Sequence, residues 1–315
     1  MEAVATEEGW LTTPDNAKLY TKHWRSNTAQ PRARLVFIHG FSDHCNFYGI
    51  LFPSLACQGV IVHSFDQRGW GRSVHDPAQK GRSGPTKQVL EDITTFINSL
   101  PTADASVPLF LMGHSMGGAE VLHYAAAGPR DIVSSIRGFL VESPFIALSP
   151  AARPWTGTVV LGRMAARVLP HQQMVQKLDA KKTCRDPDVC KQFDNDPLCH
   201  DTGTLEGLAG MLDRALALEE GNVTLTEGLG DGGKTRLWLG HGSGDAICDF
   251  NASRKWFESV AIEDKEMRVY EGWYHKLHAE PGEDKVRFAN DVAKWILDHS
   301  EPSRGADGAD QRAKL

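Results

Sequence analysis

Ser115 lies in a short segment whose residue types suit nucleophilic catalysis. The segment Gly113-His114-Ser115-Met116-Gly117 follows the apolar run 109–112 and precedes the helix-forming run 119–122. A sharp strand-to-helix turn pushes a serine hydroxyl out of a sheet, and its strained backbone leaves no room for side chains at the two flanking glycines. The pattern therefore predicts that Ser115 is a catalytic nucleophile on such a turn.

A serine hydroxyl reacts only weakly unless a base accepts its proton and an acid orients that base. For a serine on this kind of turn, the chain order is serine, then acid, then histidine. The apolar run Leu237-Trp238-Leu239 is followed by a glycine-rich turn that ends at Asp245. Asp249, the alternative, directly precedes a helical pattern and suits a helix N-terminus. We therefore predict Asp245 as the acid.

The histidine base is expected in the loop that follows the last strand. His275 lies in this loop, after the strand pattern Arg268-Val269-Tyr270. His278 comes three residues later, and spacing alone does not choose between the two. His114 adjoins the nucleophile and is interpreted as a packed neighbour rather than the base.

Two backbone N–H groups should receive the negative charge that develops on the substrate carbonyl oxygen. Met116 N–H is one by its position directly after the nucleophile. The second is expected in the loop after the first long strand, where His39-Gly40-Phe41 places Phe41 N–H. The alternative for His39-Gly40 is an ordinary turn that ends a strand.

Strand and helix patterns alternate along most of the chain, which predicts a mostly parallel, doubly wound α/β sheet. Continuous apolar runs indicate strands that are buried on both faces. The predicted strands are 35–38, 60–65, 109–112, 139–141, 237–239 and 268–270. The predicted helices are 48–56, 86–99, 116–127, 251–260 and 283–299.

The alternation breaks between about residues 145 and 220, where short helical stretches and turns rich in Asp, Pro and Cys replace strand signals. This indicates a helical cap inserted into the sheet domain. We therefore predict a first part of the core at 1–144, a cap at 145–220, a second part of the core at 221–300 and a flexible tail at 301–315.

Composition excludes several classes of function. The formal net charge of −6 gives no positive field for phosphate backbones, so no nucleic-acid partner is expected. The six cysteines show no paired C-x-x-C spacing, so a zinc site is not indicated and they are expected to be thiols. The acidic N-terminus lacks the basic and apolar regions of a secretory signal, which favours an intracellular location.

With these residues placed, the sequence resembles the monoacylglycerol lipases of the α/β-hydrolase superfamily, a group related to lysophospholipases and to the serine aminopeptidases called S33. The likeness extends over almost the whole chain. The segments that carry it are His39-Gly40-Phe41-Ser42-Asp43-His44, Phe65-Asp66-Gln67-Arg68-Gly69-Trp70-Gly71-Arg72-Ser73, Gly113-His114-Ser115-Met116-Gly117-Gly118, His241-Gly242-Ser243-Gly244-Asp245 and Tyr270-Glu271-Gly272-Trp273-Tyr274-His275-Lys276-Leu277-His278.

The resemblance implies an α/β-hydrolase fold and His275 as the base, and it places Asp43 and His278 near the site that binds the glycerol head. Some members of this group carry an arginine where this chain has Phe47, directly before Tyr48. Head-group recognition is therefore expected to differ.

The expected activity is hydrolysis of a monoacylglycerol to a fatty acid and glycerol through an acyl-enzyme, without a metal or organic cofactor. Lysophospholipids, short-chain esters and amides remain alternative substrates, because the fold alone does not select one. A dehalogenase or epoxide hydrolase would carry an aspartate at position 115. The alternative outside enzymes is a hydrolase-fold receptor for a small hydrophobic molecule.

The segment from Trp155 to Leu169 predicts a cap helix with a broad apolar surface, with Arg163 and Arg167 on a narrow stripe. The hypothesis is that this helix lines an acyl-chain channel and touches lipid interfaces, its arginines meeting anionic head groups. The alternative is a plain cap helix packed on the sheet domain.

The C-terminal tripeptide Ala313-Lys314-Leu315 differs by one conservative change from the Ser-Lys-Leu address of the peroxisomal import receptor. The polar, glycine-rich segment before it should present the carboxyl end to that receptor. A peroxisomal location is therefore predicted. The alternatives are the cytoplasm, a lipid-droplet or membrane surface, and a frayed tail that ends this way by chance.

Overall fold

A computed structural model describes residues 4–153 and 155–301. The predicted tail at 301–315 and its C-terminal tripeptide lie outside the described residues, apart from Glu301. Among the helices of the described residues, none combines the length and the apolar character that a membrane crossing needs.

A central sheet of eight strands organises the chain. The strands are β1 (Val4–Thr12), β2 (Lys18–Ser26), β3 (Ala33–Ile38), β4 (Val60–Phe65), β5 (Leu109–His114), β6 (Ile136–Glu142), β9 (Arg236–Gly242) and β10 (Asp264–Tyr270). Their order in the sheet is β1-β2-β4-β3-β5-β6-β9-β10. The six strands from β4 to β10 run parallel, whereas β1 and β2 are antiparallel to their neighbours.

This topology confirms the predicted mostly parallel, doubly wound sheet. Every residue of β4, β5 and β9 is buried, as the continuous apolar runs indicated. The β1–β2 hairpin was not predicted, because β1 is mostly exposed and mixes charged with apolar side chains. An edge hairpin of this kind has too little one-sided burial to leave a clear alternating pattern.

Helices cover both faces of the sheet, and each face has its own hydrophobic core. Helices α1 (Leu51–Cys57) and α10 (Asp284–Asp298) pack on one face. Helices α2 (Thr86–Asn98), α3 (Met116–Ala127), α4 (Arg130–Val133) and α9 (Phe250–Ser259) lie on the other. The predicted α3 matches the observed bounds, and the others differ by a few residues at their ends.

Between β6 and β9 the chain forms a separate group of elements, here called the cap elements. They comprise the helices α5 (Thr156–Val168), α6 (Ala180–Thr183), α7 (Pro187–Asn195) and α8 (Leu205–Glu219) and the short strands β7 (Gln173–Val175) and β8 (Thr202–Thr204). β7 and β8 pair antiparallel and were not predicted, since three residues carry no periodicity. The cap bounds at 145 and 220 stay a prediction.

Candidate functional site

Ser115 lies on the turn between β5 and α3, at the edge where the parallel strands end. Its φ of 54° and ψ of −116° place it outside the regions that side chains favour. A Cβ atom on Gly113 would lie 2.2 Å from the carbonyl oxygen of Gly117, and one on Gly117 would lie 2.3 Å from that of Ile38. Both glycines are therefore required, because any side chain there would collide with backbone.

The structure brings Ser115, His275 and Asp245 into one hydrogen-bonded chain. Ser115 Oγ lies 2.9 Å from His275 Nε2, and His275 Nδ1 lies 2.7 Å from Asp245 Oδ2. The three groups come from loops after β5, β9 and β10, and their side chains are buried. A hydroxyl, an imidazole and a carboxylate in this order can activate the hydroxyl as a nucleophile.

Asp245 is held as a carboxylate by four donors. Its Oδ1 accepts hydrogen bonds from the backbone N–H groups of Ile247 and Cys248, and its Oδ2 accepts from the rings of His241 and His275. Burial alone would raise the pKa of Asp245, but the neighbouring histidines and these hydrogen bonds outweigh it and hold that pKa well below its usual value. The carboxylate is therefore ionised when it faces His275.

The structure places the alternative residues in other roles. Asp249 caps α9 and accepts hydrogen bonds from the N–H groups of Asn251 and Ala252. His278 turns its ring to Glu142, with Nδ1 2.8 Å from Oε1. His114 is buried, and this burial holds the pKa of its ring well below the ordinary value. None of the three forms the hydrogen bond to the Ser115 hydroxyl, which His275 makes.

Phe41 and Met116 flank the nucleophile, as expected for the two oxyanion donors. Within the described part of the chain, neither backbone N–H donates a hydrogen bond to a protein acceptor. The Phe41 loop lies close to the serine, because a Cβ on Gly40 would lie 3.2 Å from Ser115 Cβ. Both N–H groups are therefore free to bind a developing oxyanion.

His39 fixes the conformation of the Phe41 loop. Its Nε2 accepts a hydrogen bond from the Gln67 N–H at 2.9 Å, and the Gln67 side chain donates to the His39 carbonyl at 2.8 Å. Both side chains are buried. The His39-Gly40 pair therefore does more than end a strand, since it anchors the loop that carries the Phe41 N–H.

Asp43 lies near the reactive centre, but protein groups already engage its carboxylate. It accepts hydrogen bonds from the His44 N–H, the Tyr48 hydroxyl and the Lys276 ammonium. Burial would raise the pKa of Asp43, but the charge of Lys276 and the neighbouring histidines together outweigh it and lower that pKa. Lys276 Nζ also lies 4.2 Å from the ring centre of Phe47.

Lys276 and His241 are site residues that the sequence analysis missed. Lys276 is buried, lines the cavity and reaches Asp43 across 233 positions of sequence, so no local spacing could reveal this contact. His241 donates to Asp245 from four positions away along the chain. Its signal was the motif His241-Gly242-Ser243-Gly244-Asp245, in which a second ionisable side chain precedes the acid.

A cavity of about 320 Å³ opens over the serine. Ser115, Phe41, Met116 and His275 lie at its reactive end, and most of the remaining wall comes from apolar side chains of the cap elements and the loops beside them. Six of these apolar residues are Phe145, Leu148, Val159, Leu205, Leu208 and Leu212. The arrangement fits a substrate with an apolar chain and one reactive carbonyl.

Helix α5 presents large apolar side chains on its outer side. Trp155, which precedes the helix, is 77% exposed and Leu161 is 64% exposed. The other exposed apolar residues of this surface are Val160, Met164, Val168 and Leu169. Val159 faces inward to the cavity, and Arg163 pairs with Asp213 of α8, so Arg163 is engaged within the protein.

Comparison with known proteins places this geometry in a family. The family model described as serine aminopeptidase, S33, matches residues 29–282. A protein of Schizosaccharomyces pombe named "Putative monoglyceride lipase" is 32% identical over 288 residues, which cover 91% of this chain and 73% of that protein. The monoacylglycerol lipase of Mycolicibacterium smegmatis is 27% identical, with 88% of this chain and 91% of that protein covered.

A solved structure shows the same fold. A soluble variant of the monoglyceride lipase from Saccharomyces cerevisiae, in complex with a substrate analog, superposes with a TM-score of 0.81. The alignment covers 96% of both chains at 23% identity, so the likeness concerns the fold alone. It confirms the predicted sheet with its surrounding helices.

Proposed function

Since the chain belongs to the serine aminopeptidase S33 family and adopts the α/β-hydrolase fold, we propose that it hydrolyses monoacylglycerols to a fatty acid and glycerol. The observation that carries this proposal is the chain of hydrogen bonds from Ser115 through His275 to Asp245 at the end of an apolar cavity. Relatives named as monoglyceride or monoacylglycerol lipases support the ester substrate.

In the first half of the reaction, Ser115 Oγ attacks the ester carbonyl while His275 Nε2 accepts the hydroxyl proton. Asp245 keeps the imidazole in the tautomer that accepts at Nε2 and stabilises the ring once it is positive. The N–H groups of Phe41 and Met116 bind the oxyanion, and each such donor is worth about 10²–10³ in rate. His275 then protonates the departing glycerol oxygen, and an acyl-enzyme remains on Ser115.

In the second half, a water molecule takes the place of the leaving alcohol. His275 accepts a proton from this water, the resulting hydroxyl attacks the acyl carbonyl, and the same two N–H groups bind the second oxyanion. Collapse of this intermediate returns the proton to Ser115 and releases the fatty acid. The steps require only the side chains and backbone groups of the protein and one water.

The shape and lining of the cavity support a substrate with one acyl chain. Its volume of about 320 Å³ lies at the lower end of the range for small-molecule sites. Asp43 holds Lys276 in place at the cavity wall, and Lys276 offers a polar contact for a glycerol head. The alternative substrates are a lysophospholipid, a short-chain ester and an amide. The alternative function without catalysis is that of a receptor for a small hydrophobic molecule.

The first experiment measures fatty acid and glycerol released from monooleoylglycerol by the purified protein and by Ser115→Ala. Diacylglycerol, triacylglycerol, a lysophospholipid, a short soluble ester and a peptide amide run in parallel. We expect the monoacylglycerol to be preferred and its turnover to vanish in the variant. Labelling of Ser115 by a fluorophosphonate without turnover of any lipid would keep the hydrolase and discard the lipase; no labelling would favour the receptor.

The exposed apolar surface of α5 supports the proposal that the cap elements touch lipid interfaces. Single exposed apolar residues are common on proteins. Six exposed apolar residues on one short segment form an apolar patch that suits a lipid contact. Arg167 is exposed, unlike Arg163, and is the arginine of this helix that can meet an anionic head group. The rival is a helix that only covers the cavity.

A peroxisomal location remains our proposal from the tripeptide Ala313-Lys314-Leu315 alone. A fluorescent fusion at the N-terminus should co-localise with a peroxisomal marker, and removal of the tripeptide should release it to the cytoplasm. Identical distributions of the two forms would contradict the proposal.

A further inference from the structure

A second group of buried polar side chains lies behind the nucleophile, and we call it the His–Glu–His cluster. It comprises His114 at the end of β5, Glu142 at the end of β6 and His278 in the turn after β10. His114 and Glu142 are register partners on neighbouring strands. All three side chains are at most 1% exposed.

The contacts within this cluster leave several polar atoms without partners. Glu142 Oε1 lies 2.8 Å from His278 Nδ1 and also accepts a hydrogen bond from the His278 backbone N–H. Glu142 Oε2 lies 3.6 Å from His114 Nδ1, which is too far for a good hydrogen bond. Within the described residues, His114 Nδ1, Glu142 Oε2 and His278 Nε2 are buried and unpartnered.

Glu142 also has no permanent positive charge beside it. Its ion pairs in residues 4–153 and 155–301 are with the two histidines of the cluster only. Two other buried carboxylates contact a permanent cation, since Asp43 lies beside Lys276 and Glu120 beside Arg214. Within the described residues, Asp245, like Glu142, faces histidines only. A buried carboxylate without a lysine, an arginine or a metal ion is costly to keep ionised.

We propose that the His–Glu–His cluster is a binding site for a zinc ion. Each residue offers one ligand atom, and the three atoms lie within 4.8 Å of one another. Ligand atoms at zinc bond lengths of about 2.0–2.2 Å in a tetrahedron are roughly 3.3–3.5 Å apart. His278 Nδ1 lies 2.8 Å from Glu142 Oε1 and His114 Nδ1 lies 3.6 Å from Glu142 Oε2, so each imidazole is near this spacing from one oxygen of the carboxylate.

The donor atoms select the class of cation. Two imidazoles and one carboxylate suit zinc, whereas magnesium and calcium prefer oxygen ligands throughout. This set leaves a fourth position for water, which could also satisfy a remaining polar atom of the cluster. The cysteines, whose spacing indicated no zinc site, take no part in it.

A path to the cluster and an effect on the reaction both follow from its position. His114 lines the cavity over Ser115, so a cation that enters this cavity can reach the ring. The ring centres of His114 and His275 are 4.8 Å apart. A bound dication would repel the positive charge that His275 acquires when it accepts the serine proton, so zinc should inhibit the hydrolase.

Two other groups of metal-ligating side chains occur in the described part of the chain. One is Asp245, Cys248 and His275, in which the triad already uses the carboxylate and the imidazole. The other is His44, Asp196 and Cys199, where His44 Nε2 already bonds Asp196 at 3.0 Å. This second group makes Asp196→Asn a matched control for Glu142→Gln.

Zinc binding is measured by calorimetry on Ser115→Ala, so that the readout does not depend on turnover. In this background we compare Glu142→Gln, His278→Gln and Asp196→Asn. We expect one zinc per chain, an affinity at least about tenfold weaker in Glu142→Gln and His278→Gln, and no change in Asp196→Asn. Circular dichroism and melting without zinc establish that each variant is folded.

Two results would overturn the proposal. One is zinc binding that survives Glu142→Gln but is lost in Asp196→Asn, which would assign the ion to His44. The other is no zinc binding by the folded Ser115→Ala protein. Since binding is measured directly, failure of the proposed lipase activity leaves this test unaffected. In the active enzyme, Glu142→Gln should raise the zinc concentration needed for half inhibition by the same factor.

Discussion

His241 donates a hydrogen bond to Asp245 Oδ2 at 3.1 Å, and this oxygen is the one that accepts from the catalytic base. Two imidazoles therefore donate hydrogen bonds to the same oxygen of the carboxylate. The other ring nitrogen of His241 is buried and has no partner within the described residues. The arrangement makes His241 a positioning residue that acts on the base through Asp245.

Replacing His241 by Ala should lower kcat/KM by about 10- to 150-fold, since a hydrogen bond to a charged group is worth about 1.5–3 kcal/mol. The loss should also raise the pKa of Asp245 and move the acidic limb of the pH–rate profile, because the hydrogen bond from His241 helps to lower that pKa. His241→Gln keeps an N–H donor and should recover much of the rate. A loss without any change in the profile would indicate a structural role only.

Gly117→Ala should disrupt the elbow itself. The added Cβ would lie 2.3 Å from the carbonyl oxygen of Ile38 and 2.5 Å from that of His39, so the oxyanion loop must move. Displacements of about 1 Å at a reacting centre can cost about 100-fold in rate, and we expect this loss with a lower Tm. Gly49→Ala is the control, because its Cβ would meet nothing within 4 Å. Equal behaviour of the two variants would contradict the steric account.

How much of this site the sequence could predict depends on how local each signal is. The elbow, the acid and the base each follow a strand pattern, so chain order and turn chemistry were enough to find Ser115 and Asp245 and to narrow the base to His275 or His278. The family resemblance was needed to choose His275. The contacts of Lys276 with Asp43 and of His278 with Glu142 join residues 233 and 136 positions apart. These contacts arise only from the packing of loops at the edge of the sheet, and no periodicity in the sequence predicts that packing.

Glu120 of α3 and Arg214 of α8 form a buried ion pair at 3.0 Å that ties the cap elements to the nucleophile helix. Burial raises the pKa of Glu120 to about 7, although Arg214 lowers it in part. The pKa of Glu120 in the unfolded chain is 4.5. Between this pH and about 7, Glu120 is therefore still protonated in the folded protein but has lost its proton in the unfolded chain. The contribution of Glu120 to stability should therefore fall as pH rises from about 4.5 to 7.

Urea unfolding at several pH values tests this linkage. The free energy of unfolding of the wild type should decline across this window relative to Glu120→Gln, in which the titrating proton is absent. Glu120→Gln carries a neutral side chain at every pH, as protonated Glu120 does, so the two proteins should be similarly stable below about pH 4.5 and the variant should be the more stable one at neutral pH. Parallel pH dependences of the two proteins would refute the assignment.

The buried pair of Lys276 and Asp43 should stabilise the fold only as a pair. Lys276→Met leaves the Asp43 carboxylate buried beside Tyr48, and such an unpaired charge typically costs about 3–5 kcal/mol. The double variant Lys276→Met with Asp43→Asn should recover part of this loss. Chemical unfolding of both single variants and the double variant gives the coupling free energy, and strict additivity would argue against the pair.

Exposed apolar residues of α5 should matter only for substrates presented at a lipid interface. Trp155→Glu and Leu161→Glu should reduce the rate on vesicles about tenfold, because about 1.4 kcal/mol of lost apolar transfer is a factor of ten. The rate on a short soluble ester should not change. Trp10→Glu, at another exposed tryptophan that lies on β1, serves as the control. Equal losses of rate on vesicles and on the soluble ester would contradict the proposal that α5 touches lipid interfaces.

The strands β6 and β9 lie side by side in the sheet, although the chain between them forms all the cap elements. Because the two strands are parallel, the chain leaves β6 at the carboxyl edge of the sheet and returns to the opposite edge to start β9, and the length of this crossover can change at its junction with the sheet without shifting any strand. Ser115, Asp245 and His275 are carried by the sheet side of this junction. Evolution, or a designer, can exchange the part that lines most of the cavity while the reactive centre is inherited intact.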